Sequence, residues 1–458
     1  MPVRDQDHDQ EHHQHQEHGR DQRLDPGRDP AHDQRLDPGR DPTHDHRLDP
    51  GRLGRQFWRL WSSSTISAAG DGLRGTAIPL LAASATRDPR TVSLVAAAGF
   101  APWPLLGLLG GAVADRFDRR TAMWLVDLAR GALMTGFAVL VAVACAPVAA
   151  LVGLTFLLGT AETVFASAST ALLPSLVRPA QLPAANSRLL TSTTIVGALL
   201  GPTLAGLLFA VATALPLALD AASFLAAAAL VATLRRPPAR TTTTGAGTGE
   251  TALGRWSGLR AEIYQGLAWL WQQPLLRTLT ATTAVLGGVS GTLVALLPLY
   301  ARDVLGMGST GYGVLFACYA AGSIVGALAT SRLLRRRPPG PLLLTSVLAA
   351  VLVFAALGLS SSAVVAGAAL VGLGVAVGLW TVTVNSLRQA LVPNPLLGRV
   401  SSADRAAVLS LTTAGAILGG LAAHATGIPA TMIGCAVVVT ALVATVGRRL
   451  TTATAPAR

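Results

Sequence analysis

The residues of this chain that could do chemistry are few, and most sit where a charge is costly. Asp71 and Arg74 lie near the midpoint of an apolar segment at about 57–83, and Glu162 lies near the middle of another at about 148–173. Asp220 falls toward one end of a third, at about 214–234. On insertion scales a charged side chain at a bilayer centre costs roughly 2.5–3.5 kcal/mol, so such residues face a bundle interior or a cavity and have a role there. Desolvation favours the neutral form of a carboxylic acid, which suits it to carry a proton. Asp71 and Arg74 are three residues apart and share a helix face, so the competing reading for them is a buried structural pair. Asp71, Arg74, Glu162 and Asp220 are the candidate proton-coupling and cavity residues, and Asp71 or Glu162 is expected to titrate.

A second group stands at a segment end. Residues 111–120 read GAVADRFDRR, so Gly111, Asp115, Arg116, Asp118, Arg119 and Arg120 follow an almost purely apolar run from Thr91. An apolar run that ends in a dense basic cluster has the form of a membrane helix reaching its cytoplasmic end. Asp127 and Arg130 follow, again at i and i+3, and are expected to pair with Arg116 or Arg119. Cys145, Cys318 and Cys435 lie in or beside apolar segments without a CxxC or a nearby His and read as packing residues. No metal site or cofactor is expected. His424, the one His outside the N-terminal tail, reads as a packing or interface residue rather than a proton relay.

The elements that must carry these residues follow from composition. Of 458 residues, 51% are hydrophobic and 13% charged, against roughly 25% charged in soluble proteins. The expectation is an all-α polytopic membrane protein with twelve transmembrane helices in two pseudo-symmetric six-helix bundles. Helices 1 to 6 are expected at about 57–83, 91–114, 121–144, 148–173, 189–211 and 214–234. Trp58 and Trp61 suit the interface at the start of the first. Pro102 and Pro104 should bend the second, and Gly201, Pro202 and Gly206 the fifth. Helices 7 to 12 are expected at about 278–300, 311–334, 341–360, 363–385, 403–425 and 428–447.

Around the helices the sequence divides into domains. Residues 1–55 form a His, Asp, Arg and Pro-rich tail in which Arg-Leu-Asp-Pro-Gly-Arg recurs at 23–28, 35–40 and 47–52. It has nothing to build a core from and reads as disordered. Residues 56–234 make the first bundle and 276–450 the second, followed by a tail at 451–458. Between the bundles, 235–275 starts as a flexible linker and continues as an amphipathic helix on the membrane surface.

Net charge is +12, and every basic residue is Arg. The tail is acidic, with nine Arg against thirteen Asp and Glu, so the excess lies in the membrane part. There it gathers in alternate loops: Arg116, Arg119, Arg120, Arg178, Arg188, Arg235, Arg332, Arg335 and Arg388 fall on one side, and only Arg87, Arg90 and Arg302 on the other. The positive-inside rule makes the first side cytoplasmic and puts both termini there. A multi-pass protein of the cell membrane is expected, with the bilayer and not nucleic acid as the partner of its positive charge.

The two halves echo one another. GAVADRFDRR at 111–120 matches GALATSRLLRRR at 326–337 with its Asp replaced by Thr330 or Ser331. LLPSLVRPAQL at 172–182 echoes RQALVPNPLLG at 388–398, and Gly197-x-x-x-Gly201-Pro202 echoes Gly415-x-x-x-Gly419-Gly420. Two halves related by duplication, with the substrate site between them at mid-membrane, are a transporter signature.

Gly-x-x-x-Asp-Arg-x-x-Arg-Arg at 111–120 resembles the loop between helices 2 and 3 of major facilitator superfamily transporters. With ALLPSLV before the fifth helix and LVPNPLLGRVSS before the eleventh, the chain from about 56 to 450 resembles the enterobactin-exporter-like branch of drug and siderophore exporters. It departs from the superfamily in having Asp118 where the loop motif has Gly, and it lacks the Arg-x-x-Gln-Gly motif of antiporters in helix 4. The resemblance implies a conformational latch of Gly111, Asp115, Arg116, Arg119, Arg120, Asp127 and Arg130. In it Asp115 would sit against the start of helix 11 at Ser401–Arg405, where the helix dipole favours an anion. The competing reading is a cluster that only sets topology.

The function expected is secondary transport by a monomer: a proton-coupled exporter of an amphipathic small molecule (a drug, siderophore or secondary metabolite) working by alternating access. The alternative is a metabolite importer or facilitator. No G-x-x-x-x-G-K-[ST] is present for ATP, and neither HExxH nor G-x-S-x-G for an intramembrane enzyme.

Overall fold

The computed structural model describes residues 53–106, 118–144, 146–178, 181–234, 268 and 270–451. Gly111, Asp115, Arg116, the N-terminal tail and nearly all of the 235–275 segment lie outside the described residues. All regular structure among the described residues is helical. In hydrocarbon the backbone must satisfy its own hydrogen bonds, and helices do this within a single segment.

The helices in order are α1 (Arg55–Ala85), α2 (Pro89–Phe100), α3 (Arg119–Ala142) and α4 (Val148–Leu176). Next, α5 runs as an α-helix over Leu182–Thr193, as a π-helix over Thr194–Leu200 and as an α-helix again over Gly201–Val211. α6 (Leu215–Ala232) precedes α7 (Pro274–Leu299), which ends in a π-helical turn at Tyr300–Val304. They are followed by α8 (Ser309–Leu334), α9 (Pro339–Leu359), α10 (Ala363–Leu391), α11 (Asn394–Thr426) and α12 (Ile428–Thr451).

Among the described residues ten helices, α3 to α12, are long and apolar enough to cross a membrane. α1 spans 31 residues but is diluted by its serines and by Asp71 and Arg74. α2 closes at Phe100, and the chain is helical again at 102–106, so the break falls just before Pro102. α5 and α11 begin seven and nine residues ahead of the expected 189 and 403, at Leu182 and Asn394. Pro183 and Pro395 lie in their first turns, where a missing N–H costs nothing, so polar residues outside the apolar run still join the helix.

α1 packs on α6, α3 on α6, α7 on α11, α8 on α10 and α9 on α12. The main contacts between the first six helices and the last six are α2 with α11 and α5 with α8. Small residues allow these approaches. At α8–α10, a Cβ on Gly322 or Gly326 would strike the Val371 or Val375 carbonyl, and one on Gly374 the Tyr319 carbonyl. Side-chain hydroxyls inside the helices donate to carbonyls one turn back, as Thr155 does to Leu151 at 2.7 Å and Thr282 to Thr278 at 2.8 Å, so they cost little in an apolar setting.

Candidate functional site: two arginine-centred triads beside a cavity

α1 presents Asp71 and Arg74 on one face, and the guanidinium lies 2.5 Å from the Asp71 carboxylate. The same guanidinium reaches α6, where its Nε is 3.5 Å from Asp220 Oδ2. α3 repeats the i, i+3 device. Arg130 is 3.5 Å from Asp127 on its own helix and 2.8 Å from Glu162 on α4. The Phe165 and Phe224 rings lie against the Arg130 guanidinium, 5.1 and 5.3 Å from centroid to Cζ. Phe224 is one turn after Asp220 on α6, so that single helix face serves both arginines.

Each arginine therefore serves two carboxylates. In each triad one acid is fully buried (Asp220 and Asp127, both 0% exposed) and the other is about a third exposed (Asp71 31%, Glu162 32%). With all six groups ionised, each triad holds one uncompensated negative charge. Both Asp220 oxygens and Asp127 Oδ2 accept no hydrogen bond among the described residues. A buried ion without such bonds costs several kcal/mol.

A cavity of about 360 Å³ opens on Asp71. Gly72, Gly75 and Thr76 of α1 line one wall, Thr193 and Gly197 of α5 another, and Phe316 of α8 closes it from the other half. The π-helical turn of α5 forms part of this wall. Such turns concentrate at functional sites, and nothing in the local sequence announces this one. Gly72 allows the approach, since a Cβ there would collide with the Gly197 carbonyl. Gly201 packs on the Gly72 backbone, and Gly206 packs on Ser309 and Gly313 of α8, so these glycines set close contacts on both sides of Pro202.

The second half holds a separate pocket of about 150 Å³ between α7, α9, α10 and α11, walled by Trp380, Phe354, Leu373 and Val408. The Trp380 indole N–H donates to Thr283 Oγ1 at 3.0 Å, which fixes the ring.

At the end of the bundle bearing the start of α11, Asp404 is 2.7 Å from Arg388 of α10 and accepts from Thr280 of α7, also at 2.7 Å. Next to it, Arg405 lies over the Trp103 ring at 4.1 Å and joins α11 to the 102–106 stretch of the first half. At the opposite end Arg302 donates to the Ala83 carbonyl, and His424 Nδ1 lies 3.3 Å from Asp88. Asp88 caps α2, accepting from the Arg90 N–H at 3.2 Å and from Thr91 Oγ1 at 2.9 Å. Burial pushes the Asp88 carboxyl up, but the Thr91 and Arg90 hydrogen bonds outweigh it and hold the group below the usual carboxylate range.

Asp71, Arg74, Glu162 and Asp220 thus come together, joined by Asp127 and Arg130. Arg130 pairs with Asp127 on its own helix and with Glu162 on α4; Arg116 and the Arg119 side chain, the partners expected for this pair, lie outside the described residues. Of the basic loop group, Arg119 opens α3, and Arg120 donates to the Val231 carbonyl at 3.2 Å and to the Ala232 carbonyl, tying α3 to the end of α6. Asp118, the departure from the loop motif, is the N-cap of α3 and accepts from the Thr121 N–H at 3.3 Å and the Thr121 hydroxyl at 2.9 Å. Asp404, Arg388 and Arg405 are additions. Their sequence signal is weak, because they lie next to basic loops where charge is ordinary. Asp404 is nonetheless the sole carboxylate within α11.

The profile of the transmembrane secretion effector family matches residues 52–456. The enterobactin exporter EntS of Escherichia coli is 30% identical over 378 residues, covering 79% of this chain and 84% of that protein. An uncharacterized MFS-type transporter of Mycobacterium tuberculosis is 37% identical over 134 residues, covering 29% of this chain and 30% of that protein's length. Among solved structures, a mutant form of the nucleoside transporter NupG superposes with a TM-score of 0.68 at 13% identity, over 86% of this chain and 99% of that one. A bacterial homologue of the iron transporter ferroportin in its inward-facing state gives 0.67 at 16%, over 87% and 99%. These two likenesses establish the fold.

Proposed function

Because this chain belongs to the transmembrane secretion effector family of the major facilitator superfamily, a family of transporters and not of enzymes, we propose that it is a proton-coupled exporter of an amphipathic small molecule. The observation that carries this reading is the pair of triads: two arginines shared among four carboxylates, one acid of which opens on a cavity between the halves. A proton on each triad offsets its surplus charge and a vacated site restores it, so uptake and release of protons can trade against substrate. The similarity to an exporter supports the outward direction.

Twelve spans in two six-helix halves, with both termini cytoplasmic in the plasma membrane, complete the picture. In that orientation Arg405 over Trp103 joins the halves toward the inner end, and the contacts at Ala83–Arg302 and Asp88–His424 close the outer end. Rocking of the halves would open it. Asp115 would latch the inner side in the opposite state by approaching the start of α11, next to Arg405. In proteoliposomes, an imposed pH gradient should drive accumulation of substrate against its own gradient, and collapsing the gradient should abolish it. Export indifferent to the gradient would rule out antiport, and net uptake would favour import.

A further inference from the structure

The charge of the substrate can be read from the cavity at Asp71. Asp71 is the sole ionisable side chain on its wall, and α5 and α8 bring none to it. The nearest positive charge, Arg74, is already divided between Asp71 and Asp220. Behind it lies the fully buried Asp220, 3.5 Å from the same guanidinium, so on this wall one arginine meets two carboxylates. An anion entering here would add to that deficit, whereas a cation would remove it. Facing Asp71 across the cavity is the α8 aromatic run, with Phe316 on the wall and Tyr312 and Tyr319 packed on it at 6.4 and 6.1 Å. A carboxylate and an aromatic face around one space is the chemistry that recognises ammonium and other soft cations. The volume of about 360 Å³ suits a drug-like group rather than a bare ion.

We infer that the cavity binds the positively charged end of its substrate, and that the exported class is lipophilic cations rather than anions. The inference rests on the transporter reading above. A bound cation then offsets a deficit held by Asp71 with Arg74 on α1 and Asp220 on α6, and next to them by Asp127 and Arg130 on α3 and Glu162 on α4.

Tetraphenylphosphonium and tetraphenylborate share one shape and carry opposite charges, so they isolate this variable. Equilibrium binding of both to the purified full chain should show saturable binding of the phosphonium and none of the borate. Asp71→Asn should weaken phosphonium binding about tenfold, and Asp71→Glu should retain it. Saturable binding of the borate, or binding of neither ion, would overturn the inference, and the wild-type protein alone gives these readouts if a variant fails to fold. Gradient-driven export of the borate would overturn the charge class while leaving the transporter standing. Phosphonium binding with gradient-independent export would do the reverse, removing proton coupling but not the charge class.

Discussion

The two halves solve the same packing problem and then part ways on charge. Gly72-Leu73-Arg74-Gly75-Thr76 of α1 and Gly288-Val289-Ser290-Gly291-Thr292 of α7 align residue for residue. Gly201 of α5 packs on Gly72, and Gly415 of α11 packs on Gly288. This equivalence runs one helical turn away from the Gly197–Gly415 echo in the sequence. In the alignment Asp71 corresponds to Gly287 and Arg74 to Ser290, and both replacements line the pocket beside Trp380. The first half thus keeps six ionisable groups in its interior. The second keeps one buried carboxylate, Asp404, matched by one arginine and one hydroxyl. Buried charge thus gathers in the first six helices, while the last six line their pocket with mostly apolar side chains.

The largest effect should come from the arginines. Arg130→Leu leaves Asp127 and Glu162 facing one another uncompensated and should cost about 3–5 kcal/mol, read as a lost or sharply lowered thermal transition of the purified protein. Arg388→Leu should cost less, because Asp404 keeps its Thr280 hydrogen bond near the bundle end. Equal losses would break the comparison. Next, Asp220→Asn should fold, keep its contact with Arg74, and reduce gradient-driven export by at least about tenfold, or about 1.4 kcal/mol. Unchanged export would make the triad purely structural. Trp380→Ala should weaken binding of the apolar part of a substrate, within the roughly 3–5 kcal/mol bound for removing a buried aromatic, while leaving the pH profile of transport in place. A shifted profile would mean that the second half handles charge too.

The smallest effect belongs to the helix cap. Asp88→Ala should cost about 1 kcal/mol at neutral pH, measured by thermal unfolding. Because the folded carboxyl is held below its usual range, its contribution is complete above the ordinary aspartate value of about 3.9. It fades as the pH falls through the lower folded value, so wild type and variant should converge in acid.

Much of this was legible in one dimension. Asp71, Arg74, Glu162 and Asp220 declare themselves because a charge inside an apolar run is expensive enough to need a reason. The Asp71–Arg74 and Asp127–Arg130 pairs follow from i, i+3 spacing. The partners across helices do not follow, because spacing fixes a face of a helix and not the neighbour it meets. That is why Asp127 and Arg130 looked like companions of the basic loop, and why Asp404 was masked by the arginines around it. α1 was legible as an apolar segment at about 57–83, although its serines, Asp71 and Arg74 lower its hydropathy below that of α3 to α12.

The sequence by itself determined the apolar segments, the depth of each charge along its helix, the repeated glycine patterns and the family. These are local or periodic properties of the chain. Only the tertiary structure decided that Arg74 serves a carboxylate on α1 and another far along the chain on α6, and that Arg130 is divided in the same way between α3 and α4. The surplus of negative charge exists only once helices distant in sequence have chosen their neighbours, because it depends on which ions share a low-dielectric interior and not on how many the chain contains.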